Sequence, residues 1–159
     1  MVLSEQSTSA WENPSTGLHN AVCVDVIDLG EQTTTYQGET KTRNMLQLKF
    51  RIGDQDKADG TPMFIGRKYT ATLNEKGALR KDLKSWRGQD LSVDEKKEFN
   101  PDVLVGAQAQ LNIEEWQKSD GTPGTSIGAI LPPANGQDVK VPDDYERVVI
   151  ENNNVDDPF

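Results

Sequence analysis

Hydrophobic and polar positions alternate along most of the chain, the period of extended strands and not of helices. In residues 18–29, Val22, Val24 and Val26 fall on one face and Ala21, Cys23 and Ile27 on the other, which predicts a strand covered on both sides. Residues 30–42 are polar, contain Tyr36 and Gly38, and read as a long loop. Alternation is cleanest from Arg43 to Ile52. Leu46, Leu48, Phe50 and Ile52 point one way, and Arg43, Met45, Gln47, Lys49 and Arg51 the other, giving a half-buried strand with a basic open face. Residues 53–62 have turn composition, and a third strand follows at about 63–73.

The period then changes. Leu79, Leu83 and Trp86 lie at i, i+4 and i+7, with Asn74 placed to cap the start of a helix and Gly88 its end. Ser92 and Glu95 have capping-box spacing, and Pro101 opens a further single turn. Alternation resumes over 106–116, and a last short strand at 126–131 ends at Pro132 and Pro133. Three strands, a helix and two strands predict a mainly β domain over 18–133, a five-stranded OB-fold barrel with its helix between strands 3 and 4. A flexible arm (1–17) precedes it and a disordered acidic tail (134–159) follows, in which only 145–150 hold enough apolar residues to pack.

Composition narrows the class. No run of apolar residues approaches a membrane span, and the N-terminal residues lack the basic start and apolar stretch of a secretory signal, so a cytoplasmic protein is expected. The single cysteine, Cys23, permits no internal disulfide, and with only His19 beside it no zinc site of the His and Cys type can form. The net charge of −9 conceals a strong asymmetry. Between Lys41 and Arg87 there are twelve Lys and Arg against five Asp and Glu, whereas residues 134–159 hold seven acids and two bases. A basic middle and an acidic end suit a nucleic-acid site followed by an acidic tail; the plainer alternative is a solvated outer face.

Catalytic chemistry is missing from the pattern. Gly60 and Gly66 are followed by Arg67 and Lys68, which breaks the phosphate-loop spacing. Residues 54–65 fail as a calcium loop, with Ala58 at position five and Ile65 at position twelve. A lone His19 offers no base–nucleophile pair, so neither an enzyme nor a cofactor is expected. What the chain does offer is cations interleaved with rings, the two things single-stranded nucleic acid needs. OB barrels present them on strands 2 and 3 and the first loop. The candidates are Tyr36, Lys41, Arg43, Lys49, Arg51, Arg67, Lys68, Tyr69 and Trp116. Tyr69 has an alternative place in the inward set with Ala71 and Leu73, Trp116 can equally cover a barrel end, and Trp86 lies on an apolar helical stripe.

The last residues, Asn154, Val155, Asp156, Asp157, Pro158 and Phe159, resemble the acidic tip of bacterial single-stranded-DNA-binding proteins. Paired carboxylates seek a basic pocket, and a terminal phenyl ring docks in an apolar socket. The resemblance implies that Asp156, Asp157, Pro158 and Phe159 bind partner proteins. The domain itself resembles phage-encoded single-stranded-DNA-binding proteins of the OB type, through residues 17–21 (GLHNA), 28–30 (DLG), 79–88 (LRKDLKSWRG) and 104–106 (LVG). That implies a replication or recombination protein that coats single strands without sequence preference and recruits replication or recombination proteins through its tip. The alternative is a protein-interaction module whose tail imitates the host tip to capture or inhibit host enzymes.

Overall fold

The computed structural model describes residues 13–117 and 120–149, with the backbone only of Tyr36. The expected arm up to residue 12 and the tip residues Asp156, Asp157, Pro158 and Phe159 lie outside the described residues. Five strands, β1 (Gly17–Tyr36), β2 (Glu39–Asp56), β3 (Pro62–Thr70), β4 (Gln108–Gln117) and β5 (Pro123–Leu131), form one antiparallel sheet in the order β3-β2-β1-β4-β5. Two helices, α1 (Ala78–Arg87) and α2 (Val93–Lys97), and a short 3-10 turn (Pro101–Leu104) connect β3 to β4. No helix among the described residues is long and apolar enough to cross a membrane.

The first strand and its partner are much longer than the alternation suggests. Residues 30–42, expected as a loop, are a two-stranded ribbon that continues β1 and β2 to a tight turn at Gln37 and Gly38. Both turn residues have positive φ (+53° and +82°), the geometry whose twist matches a two-residue hairpin. Along the ribbon Thr33 bonds Thr42 at 3.1 Å and Thr35 bonds Thr40 at 3.2 Å, each across the ladder from its partner. Polar β-branched pairs hold these strands together, so no hydrophobic alternation marks them. Register shifts between Cys23 and Asp25 and between Asp28 and Gly30 bulge β1, which bends it and inverts which residues face inward.

The core forms on one side of the sheet. Leu46, Leu48, Phe50 and Ile52 are all buried, as their alternation predicts, together with Ala21, Cys23, Met63, Leu111, Ile113 and Ile130. Burial pushes the Cys23 thiol up to about 12, so it is an inert core group. Helix α1 lays Leu79, Leu83 and Trp86 onto this surface. The Trp86 ring packs 5.5 Å from that of Phe50, and its Nε1 donates to the Gln108 carbonyl at 2.8 Å. Gly88 closes the helix in the left-handed conformation, and Ser92 and Glu95 make the capping box of α2. Asn74 does not cap α1: Gly77 holds that position, and the Asn74 side chain accepts from the Lys76 amide in the turn before it.

Two further expectations change. The sheet does not close through its backbone, because β3 and β5, both fully described, share no ladder. A side chain spans the gap instead: Arg67 donates to the Ile127 carbonyl at 3.3 Å and pairs with Asp82 of α1 at 2.9 Å. Residues 137–149, of the tail in which only 145–150 were expected to be able to pack, are bonded to the sheet at Gln137, Val139 and Val148 without forming a helix or strand. Specific polar bonds fix them, which composition does not reveal.

Replacing Phe50 with Ala removes a fully buried ring from the centre of this core and is expected to cost about 3–5 kcal/mol. Leu18→Ala, at an exposed position, should stay within about 0.5 kcal/mol, and urea titration of both variants checks the contrast.

Candidate nucleic-acid interface

Opposite the core, the outer face of β2 carries Lys41, Arg43, Met45, Gln47, Lys49 and Arg51 in alternate positions. At roughly 3.3 Å per residue this row runs about 33 Å. Register adds neighbours on both sides: Lys68 beside Gln47, Gly66 beside Lys49 and Phe64 beside Arg51 on β3, and Gln32, Thr34, Asp25 and Val22 on β1. A side chain at Gly66 would meet the Gln47 amide, which leans across it.

The row has two halves. Toward the ribbon, Lys41, Arg43 and Lys68 are exposed. Toward the other end, the segment 137–149 lies across the face as a strap. Val139 sits directly over Gly53, and its backbone exchanges two 2.8 Å hydrogen bonds with the Gln108 side chain, as a neighbouring strand would. The Gln137 amide donates to the Ala21 and Ala109 carbonyls at 3.0 and 2.8 Å. Arg51 donates through Nη1 to the Lys140 carbonyl at 2.6 Å, while its buried Nε has no partner. The Tyr145 ring lies 5.6 Å from that of Phe64, and the Lys49 ammonium stands 4.8 and 4.9 Å from the two ring centres.

Asp25 anchors this segment. Its side chain is fully buried at the bulge of β1 and accepts from Tyr145 Oη at 2.7 Å, Arg147 Nε at 2.5 Å and the Val148 amide at 2.8 Å. Arg147 also pairs with Asp102 at 3.0 Å, tying the strap to the 3-10 turn. Burial alone would raise the Asp25 carboxyl, but the Val148 amide, the Tyr145 hydroxyl and the Arg147 guanidinium outweigh it and hold the group below its ordinary value. Burial, and then the adjacent carboxylate, push the Tyr145 hydroxyl up.

The sequence candidates divide accordingly. Lys41, Arg43, Lys49, Arg51 and Lys68 share one face, with Lys49 and Arg51 beneath the strap. Arg67 and Tyr69 do not belong to it. Tyr69 is 2% exposed and donates to Asp82 at 2.6 Å, with Arg67 stacked over its ring, so both tie β3 to α1 and β5. Parity explains this: they alternate with Lys68 and follow Met63 inward. Trp116 is 49% exposed but lies on β4 past the start of β1, at the end of the sheet remote from the ribbon. The Tyr36 side chain lies outside the described residues. Phe64, Asp25 and Tyr145 were not legible as site residues. Phe64 sits in an unbroken apolar run, Met63–Ile65, where no polar neighbour reveals its face, and the other two meet across 120 residues.

One further constellation brings Ser15, His19 and Asp54 together in the order of a hydrolytic relay. His19 Nδ1 is 2.6 Å from Asp54, but Nε2 faces the Ser15 carbonyl at 2.7 Å, closer than Ser15 Oγ at 3.2 Å. A carbonyl there requires the proton on Nε2, which leaves no lone pair to take one from the hydroxyl. The cluster instead ties the residues before β1 to the end of β2. Among the described residues no group of three or more His, Cys, Asp or Glu side chains is arranged to hold a metal ion. No protein-family model matches the chain, and no curated protein does.

Asp25→Asn removes the charge that Arg147 answers and is expected to destabilise the domain by about 1–3 kcal/mol. Because the folded carboxyl titrates below the free value of 3.8, its contribution is complete at neutral pH and is lost only as the pH falls below that value. Protection of the Val148 amide, its exchange rate relative to that of an unprotected amide at the same pH, should therefore hold at pH 5 and fall in stronger acid, whereas the Asn variant should show little protection throughout.

Proposed function

We propose that the chain binds single-stranded DNA without sequence preference, through the outer face of β2 and its neighbours, and recruits replication or recombination proteins through Asp156, Asp157, Pro158 and Phe159. The observation that carries this reading is the alignment of Lys41, Arg43, Lys49 and Arg51 on one strand face, with Lys68 and the Phe64 ring beside them. Cations spaced along an extended strand follow a phosphodiester backbone, and a ring among them offers a base a stacking surface. The strand order, with α1 between β3 and β4 and the Arg67 bridge across the β3–β5 gap, supports reading the sheet as an OB fold that is incompletely paired at its seam. The work is electrostatic and by stacking, with no covalent step.

The acidic strap over Lys49 and Arg51 favours a second reading, a protein-interaction module with no nucleic-acid ligand. Titration of fluorescent oligo-dT decides between them: binding at low salt, stronger than to duplex, supports the first, and no binding at any low salt supports the second.

Lys41→Ala with Arg43→Ala, both exposed, should weaken oligo-dT binding uniformly across sequences and leave the melting temperature unchanged. Losing two phosphate contacts should flatten the plot of log K against log[salt] by about 1.4. Deleting Phe159 should leave oligo-dT binding intact while capture of a bacterial replication or recombination protein collapses, since the apolar anchor is gone; equal capture with and without it would overturn the assignment of the tip.

A further inference from the structure

We propose that the surface beneath the strap, formed by Lys49, Arg51 and Phe64, is a concealed second half of the single-strand site, and that residues 137–149 occupy it in place of nucleic acid. This rests on the function proposed above and adds which surface the ligand takes and what must leave first.

Three observations carry it. The first is continuity: Lys49 and Arg51 lie in the same alternating row as the exposed Lys41 and Arg43, so a single strand following β2 from the ribbon runs directly into the strap.

The second is what the strap puts there. An aromatic ring, Tyr145, lies against Phe64 with the Lys49 ammonium over both, the arrangement a stacked base and a nearby cation would make. An oxygen, the Lys140 carbonyl, takes one arm of Arg51, where a phosphate oxygen would sit. That oxygen is a poor substitute, because Arg51 Nε is buried without an acceptor. A phosphate, with oxygens for both edges of the guanidinium, would satisfy it. The strap also carries Asp138, Asp143, Asp144 and Glu146 against Lys140 and Arg147, a net negative charge of the same sign as a phosphodiester strand.

The third is how the strap is held. Residues 137–149 form no helix or strand, and their anchors are separate: Gln137 and Val139 at one end, and Tyr145, Arg147 and Val148 on Asp25 at the other. Such a segment can leave without unravelling a ladder. Gly53 gives a way to loosen it that touches none of the charged groups. Its φ is not positive, so Ala suits its backbone, but the added Cβ would stand 2.5 Å from a Val139 methyl.

The test uses the full-length chain and Gly53→Ala, with oligo-dT as the probe and hydrogen exchange read at the Val139 and Val148 amides. Oligo-dT should speed exchange at both amides in the wild type. Gly53→Ala should exchange faster without DNA and bind oligo-dT at least about fivefold more tightly. Tyr145→Phe with Arg147→Ala loosens the other end and should act in the same direction. Oligo-dT binding that leaves both amides as protected as before, or a loosened strap with unchanged affinity in both variants, would overturn the concealed site while leaving DNA binding by the open half intact. Failure of every variant to bind oligo-dT at low salt would instead overturn the proposed function itself, and this inference with it.

Discussion

Strand β2 is paired on both sides through its inner length, so each of its side chains is committed to one of two faces, and the rest of the molecule is arranged around that commitment. Leu48, Phe50 and Ile52 are fully buried because β1, β3 and α1 converge on their side. Lys49 and Arg51 are turned the other way by the same ladder. A one-residue slip would bury two cations and expose three large apolar groups, so the core that stabilises the sheet also fixes where the basic row lies.

The bulged β1 adds a second constraint. The extra residue after Cys23 bends the strand and turns Asp25 onto the outer face, opposite Lys49. A buried carboxylate in that place is costly unless it is bonded, and the partners it finds come from the far end of the domain: Tyr145, Arg147 and Val148. One unfavourable group in the middle of the basic face therefore organises the segment that covers half of that face.

Charge and packing act at different ranges in the two halves. The exposed ribbon, held by paired threonines and a tight turn, presents Lys41 and Arg43 to solvent, where salt screens them. Under the strap, Lys49 and Arg51 sit among rings and carbonyls in a drier setting, where each contact is stronger and an unpaired nitrogen costs more. The Arg67, Tyr69 and Asp82 cluster shows that a cation and a ring on neighbouring positions serve equally well as a structural tie, once strand parity turns them inward.

By itself the sequence determined what depends on local period and local capping: the strand at Leu46–Ile52 and its two faces, the stripe Leu79, Leu83 and Trp86, the Gly88 cap, and the Ser92 and Glu95 box. These need only neighbours three or four positions away. The tertiary structure decided what depends on distant partners. Residues 30–42 became a ribbon because threonines on two strands met, and Tyr69, turned inward by strand parity, found its bond partner in Asp82 of α1. Residues 137–148 packed because Asp25 and Gln108, far earlier in the chain, left bonds to be filled. Alternation says which way a side chain points. It carries no information about what will come to cover it, since that is set by chain segments whose separation in sequence has no bearing on their separation in space.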